Sequence, residues 1–196
     1  MSTMTVLPWP DHLLTLEEWD ALPEDTSRHF ELAEGVLVVA PRPAPHHQTA
    51  VGSLMSDLNR QLPQTLAATQ DIEVVIESTY PATVRAPDVV VISRSLYRRN
   101  PPRVDASEVL LAVEIVSPGS RNTDRVSKPV EYARAGIPHY WVIDLTTPAT
   151  LVTYTLVEGG YQLLTKATGP ITLSEPATLA VDVSKVTDPN YPWRDD

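Results

Sequence analysis

The sequence predicts a single mixed α/β domain, on three observations. The stretch Val109-Leu110-Leu111-Ala112-Val113-Glu114-Ile115-Val116-Ser117 is apolar on both alternating faces, as in a central strand covered on each side. From His46 to Leu62, the apolar residues Val51, Leu54, Met55, Leu58 and Leu62 recur at three-four spacing, the pattern of a helix with one buried face. Helical and strand patterns alternate to about Ile143 and strand patterns then continue, so strands are appended to a sheet flanked by helices.

Taken in order, Thr15-Leu16-Glu17-Glu18-Trp19 opens a helix, with Thr15 and Glu18 spaced as a capping box. Phe30 to Gly35 leads through a tight turn into the apolar strand Val36 to Ala40. Pro41, Pro43 and Pro45 make a stiff link to the long helix. Asp71 to Glu77 alternates as a half-exposed strand, Thr79 to Ala86 reads as a turn region, and Pro87 to Ile92 reads as a strand beginning on its proline. Ser93 to Ser107 is expected to be a long loop before the central strand. A helix is expected over about Asp124 to Ala135, capped by Gly136, with Pro129 pushing its true start toward Val126 or Ser127. His139 to Ile143 is a strand, Glu158-Gly159-Gly160 joins a hairpin, and Thr178 to Val183 is the last strand. The whole chain, 1–196, is expected to form one domain, with 1–13 and 187–196 as loosely held tails.

With no cysteine, disulfides and Cys-based zinc sites are excluded. Met1 to Pro10 lacks a basic segment followed by an apolar run, and no apolar run approaches a membrane span. A soluble, cytoplasmic protein without membrane partners is therefore expected. Net charge is −10, which argues against a general nucleic-acid coat. The charge is uneven, however: Arg85 to Arg134 holds nine Arg and Lys against six Asp and Glu. Within it, Arg94, Arg98, Arg99 and Arg103 are either phosphate contacts or members of a solvated loop.

Glu114 is the exception in the central strand. A buried carboxylate costs several kcal/mol, of the order of 3–5, unless a cation or donors compensate it. Asp88 lies in the preceding strand pattern, and pairing of the two strands would bring both carboxylates to one end of the sheet. A divalent cation would remove their repulsion, and hard oxygen ligands favour Mg²⁺ or Mn²⁺ over zinc. The Ile115 carbonyl could add a ligand. Lys128, at the start of the following helix, could return to the cluster and stabilise charge developing on a phosphate. Asp124 could share its helix face, or serve as a cap or salt-bridge partner.

Pro87-Asp88, Glu114-Ile115-Val116-Ser117-Pro118, Asp124, Lys128 and the run Tyr132 to Asp144 together resemble the Uma family of putative restriction endonucleases, in the PD-(D/E)XK nuclease superfamily. Phe30 to Leu37 and Pro45-His46-His47-Gln48 match as well, so the resemblance covers about Leu14 to Tyr154. It implies a restriction-endonuclease-like core, a mixed β-sheet flanked by helices, and Mg²⁺-dependent hydrolysis of DNA phosphodiester bonds, commonly by a homodimer. It implies Asp88 and Glu114 as metal ligands, Glu31 as an accessory acid and Lys128 as the catalytic lysine. Glu31 could otherwise pair with Arg28 or Arg42, and His47 is either a surface residue or one facing the cleft. The chain departs from the superfamily pattern at Val116, where a lysine two residues after the acid is usual. The competing expectation is a fold kept as an inactive binding or oligomerisation module.

Overall fold

The computed structural model describes residues 9–23, 29–40, 43–116 and 126–186. Thr15 and Glu18 form the expected capping box at the start of α1 (Leu16–Asp20). Strands β1 (His29–Ala33) and β2 (Val36–Ala40) form a hairpin whose turn residues, Glu34 and Gly35, have φ of 47° and 78°. A Cβ at Gly35 would lie 2.7 Å from that of Leu13, so the turn needs glycine on both counts. The long helix α2 spans Pro45–Gln61, with proline in the first turn where no N–H is needed.

Strands β3 (Leu66–Gln70), β4 (Glu73–Glu77), β5 (Thr83–Arg85) and β6 (Val89–Ser93) follow. Then come α3 (Arg94–Arg99), β7 (Arg103–Asp105), a 3-10 turn and the central strand β8 (Val109–Val116). Beyond it lie α4 (Lys128–Arg134), β9 (His139–Asp144), the hairpin β10 (Thr150–Val157) and β11 (Gly160–Ala167), the pair β12 (Pro170–Leu173) and β13 (Leu179–Asp182), and the short α5 (Val183–Val186).

These strands make two main sheets, in the orders β2-β1-β5-β4-β7 and β11-β10-β9-β8-β6-β3. In the larger, β8 runs antiparallel to β6 and parallel to β9. One face of β8 (Leu111, Val113, Ile115) packs with Ala50, Leu54 and Leu58 of α2 and with the β13–α5 segment. The other face (Ala112, Val116) packs with Val74 of the smaller sheet, Leu96 of α3 and Tyr132 of α4. Burial on both faces is what the sequence of this strand demands. Trp19 of α1 closes the outer side of the smaller sheet with Leu14, Leu32 and Val84.

The fold class is as expected, with local corrections. The region Thr79 to Ala86 is not merely a turn: Thr83 to Arg85 form β5, buried throughout and paired with β1 and β4. The expected loop Ser93 to Ser107 contains α3, capped by the Ser93 hydroxyl and ended by Asn100 in the left-handed region, and β7. Asp88 is not inside a strand; β6 begins at Val89, and the Asp88 side chain itself accepts the Ile115 N–H at 2.6 Å. The smaller sheet needs β1 as a separate strand, and β3 and β12 add further pairings. Among the described residues no helix is long and apolar enough to cross a membrane.

The core contact between α2 and β8 carries a stability prediction. Leu54 is fully buried there, whereas Leu163 on β11 is 63% exposed. Leu54→Ala should lower the urea unfolding free energy by about 2–5 kcal/mol. Leu163→Ala should change it by about 0.5 kcal/mol or less.

Candidate active site

The register of the larger sheet builds the site. The β6–β8 ladder ends at the pair Val89 and Val113, and Asp88 and Glu114 are the next residues beyond it on the two chains. The Ile115 N–H then fixes the Asp88 carboxylate through Oδ2. From the other face, the first turn of α2 delivers His47, whose Nε2 lies 2.9 Å from the Ile115 carbonyl oxygen and 3.3 Å from Asp88 Oδ2. The two faces of β8 therefore meet at one end of the strand.

Glu114 is 3% exposed, as the apolar strand around it foretold. Two side chains one helical turn apart on α4 reach its Oε1: Lys128 Nζ at 2.9 Å and the Tyr132 hydroxyl at 2.7 Å. Lys128 is itself buried, with Nζ 3.3 Å from Glu31 Oε1. Glu31, on β1, takes a second cation on Oε2, Arg85 Nη1 at 3.0 Å, and the Ala86 N–H on Oε1. Arg85 grips Glu131 of α4 with Nε and Nη2, each at 2.7 Å. A chain of alternating charge thus runs Glu131, Arg85, Glu31, Lys128, Glu114, across β5, β1, α4 and β8.

Electrostatics follow from this order. Burial pushes the Glu31 carboxyl up, but Lys128, Arg85 and the Ala86 N–H outweigh it and hold the pKa below the ordinary value of 4.5. For Arg85, burial works against the charge, and the bonds to Glu131 together with the fields of Glu31 and Glu131 overcome it, so the guanidinium stays ionised. Tyr132 is pushed well above 10.0 by burial and by the negative charges of Glu114 and Glu31, which keeps its hydroxyl a donor.

The structure gathers the expected residues into two groups on neighbouring positions of β8: Asp88 and His47 on the Ile115 peptide, and Lys128, with Glu31 beside it, on Glu114. Asp124 lies outside the described residues, as do Arg28 and Arg42. The arginines are placed elsewhere. Arg94 and Arg98 follow the far end of β6, roughly 16 Å of strand from Asp88. Arg99 pairs with Glu108, and Arg103 pairs with Asp20 and Glu73. Sequence reasoning missed Arg85, Glu131 and the role of Tyr132. It also missed Asp71, which sits at φ 52° in the β3–β4 turn. Burial raises the Asp71 pKa; His29, 3.5 Å away, opposes the rise, while the charges of Asp88 and Glu31 add to it. Only Tyr132 carried a signal, its four-residue spacing from Lys128. Among the described residues no three His, Asp or Glu side chains form a ready-made metal cluster.

A mixed sheet flanked by helices is the architecture of the restriction-endonuclease-like class. The chain belongs to the Uma2 family, described as putative restriction endonuclease, whose model matches residues 16–187. Its fold is similar to that of a solved structure described as a putative nuclease belonging to DUF820, from Anabaena variabilis. The two share 21% identity at a TM-score of 0.68, over 89% of this chain and 97% of that one. No curated protein matches the chain.

The lowered Glu31 pKa has a consequence for stability. In the unfolded chain Glu31 takes up its proton near the ordinary value of 4.5, and in the folded protein only at lower pH. Its contribution is therefore complete above about 4.5 and is lost as pH falls through the lowered folded value. Denaturant unfolding between pH 6 and pH 3 should show a steeper loss for the wild type than for Glu31→Gln. Parallel curves would contradict the assignment.

Proposed function

We propose that the protein is an endonuclease that hydrolyses DNA phosphodiester bonds with the help of Mg²⁺ or Mn²⁺. The observation that carries this reading is Glu114: a carboxylate buried in a core strand, with a buried lysine on it, next to the Ile115 peptide that holds Asp88. Burying such a pair adds little net stability, which favours a chemical role for it.

The donors present suit a hard divalent ion. Asp88, Glu114 and the Ile115 carbonyl would hold it. Mg²⁺ commonly binds through one or two carboxylates and keeps several waters, so a ready-made cluster of three side chains is not required. The His47 imidazole, beside two of those donors, makes Mn²⁺ a good alternative. When bound, the ion would supply an activated water and offset charge on the phosphate.

The chain's own residues do the rest. The Ile115 N–H holds Asp88 in orientation. Tyr132 and Lys128 hold Glu114 by Oε1. The Lys128 ammonium would stabilise charge developing on a phosphate oxygen. Arg94 and Arg98, distant from the site on α3, would contact the DNA backbone and not the scissile phosphate. Cutting both strands of a duplex would require two copies of the site, which a homodimer provides.

The test is cleavage of plasmid and single-stranded DNA with Mg²⁺, Mn²⁺ or EDTA. Cleavage should require the metal. Asp88→Asn, Glu114→Gln and Lys128→Met should each be about 100-fold slower or worse. No cleavage under any condition, or full activity in Glu114→Gln, overturns the reading and leaves the fold as a binding module.

A further inference from the structure

The buried carboxylates of this site are neutralised by the protein itself. Lys128 Nζ rests on Glu114 Oε1, the carboxylate that a divalent ion would need, and the same ammonium is 3.3 Å from Glu31 Oε1. The two carboxylates belong to different sheets, and one lysine lies between them. Resting on the metal-dependent reading above, we propose that Lys128 is an internal counter-cation which an arriving divalent ion must move from Glu114 to Glu31. Glu31 is then a positioning residue that acts through Lys128, offering the ammonium a second berth.

Three observations support the transfer. First, a cation must sit on Glu114 in either state, because a carboxylate buried to this extent without one is strongly unfavourable. Second, a divalent ion and an ammonium on one carboxylate repel each other strongly at low effective dielectric. Third, the second berth is already built. Arg85 Nη1 occupies Glu31 Oε2 and anchors that side chain, while Oε1 faces Lys128. Arg85 is held in turn by its two bonds to Glu131 on the helix that carries Lys128. Only the end of the lysine side chain has to rotate; α4 and β1 can stay in place. With the ion on Glu114, Lys128 would be directed by Glu31, and the lysine position used in the reaction would be one that metal binding creates.

The experiment is a calorimetric titration of Mn²⁺ alone, at pH 8, into the wild type, Lys128→Met and Glu31→Gln, with melting temperatures measured with and without Mn²⁺. Lys128→Met should bind Mn²⁺ roughly tenfold more tightly than the wild type, and Glu31→Gln roughly tenfold more weakly, the usual size of coupling between two sites. Lys128→Met should melt below the wild type without Mn²⁺ and gain more from its addition. A crystal of the wild type grown with Mn²⁺ should show Lys128 on Glu31 and beyond hydrogen-bond distance of Glu114. Equal Mn²⁺ affinity in the wild type and Lys128→Met, or Lys128 still on Glu114 beside the ion, overturns the proposal while leaving the metal site intact. If Lys128→Met does not fold, unchanged affinity in Glu31→Gln overturns it. Mn²⁺ binding to none of the proteins removes the metal-dependent reading and this proposal together.

Discussion

Glu131, Arg85, Glu31, Lys128 and Glu114 form one buried run of alternating charge, and the two sheets meet the helix layer through it. Each link joins different elements: β5 to α4, β5 to β1, β1 to α4, α4 to β8. Apolar contacts would hold these layers together more cheaply, since well-packed hydrophobic groups often match or exceed a buried ion pair in stability. What the charges add is direction. A hydrophobic contact tolerates small slips, whereas a guanidinium bonded twice to one carboxylate and once to another fixes distance and angle together. The end of β8 is thereby held to one geometry.

The other face of β8 contributes by being inert. Leu111, Val113 and Ile115 are locked against α2, and that packing fixes the position of the Ile115 peptide. Its N–H and carbonyl oxygen are then the reference points for Asp88 and His47. Polar groups from two layers converge on a single peptide because the strand is rigid there. A site built on a strand end, and not on a free loop, inherits the precision of the core.

Much of this was legible in the sequence, and the residues show why. Glu114 stood out because it breaks an apolar strand pattern, and Thr15 with Glu18 because a capping box depends on local spacing alone. The period of α2 and the Gly-Gly hairpin after Val157 were readable for the same reason. The smaller sheet was not. Thr83-Val84-Arg85 is too short to display a period, and its strand identity comes from β1 and β4, far away in the chain. Arg85 was invisible as a site residue because an arginine in a turn-like stretch reads as solvated; its burial depends on partners at Glu31 and Glu131. Helix α3 did carry local signals, Ser93 as its cap and Asn100 as its stop, but the neighbouring prolines and arginines obscured them.

The missing lysine two residues after Glu114 also has a structural explanation. Val116 shares a face with Glu114 and is buried in the cluster that includes Tyr132 and Ile137. A lysine at 116 would approach Glu114 along its own strand, from within the larger sheet. Lys128 instead comes from the opposite layer, carried by a helix that begins at the lysine with Pro129 behind it. That direction of approach is what lets the ammonium also reach Glu31 on the smaller sheet. Relocating the cation from strand to helix therefore keeps its reach to Glu114 and adds a second carboxylate. It links the acid of β1 to the site through a side chain carried on α4.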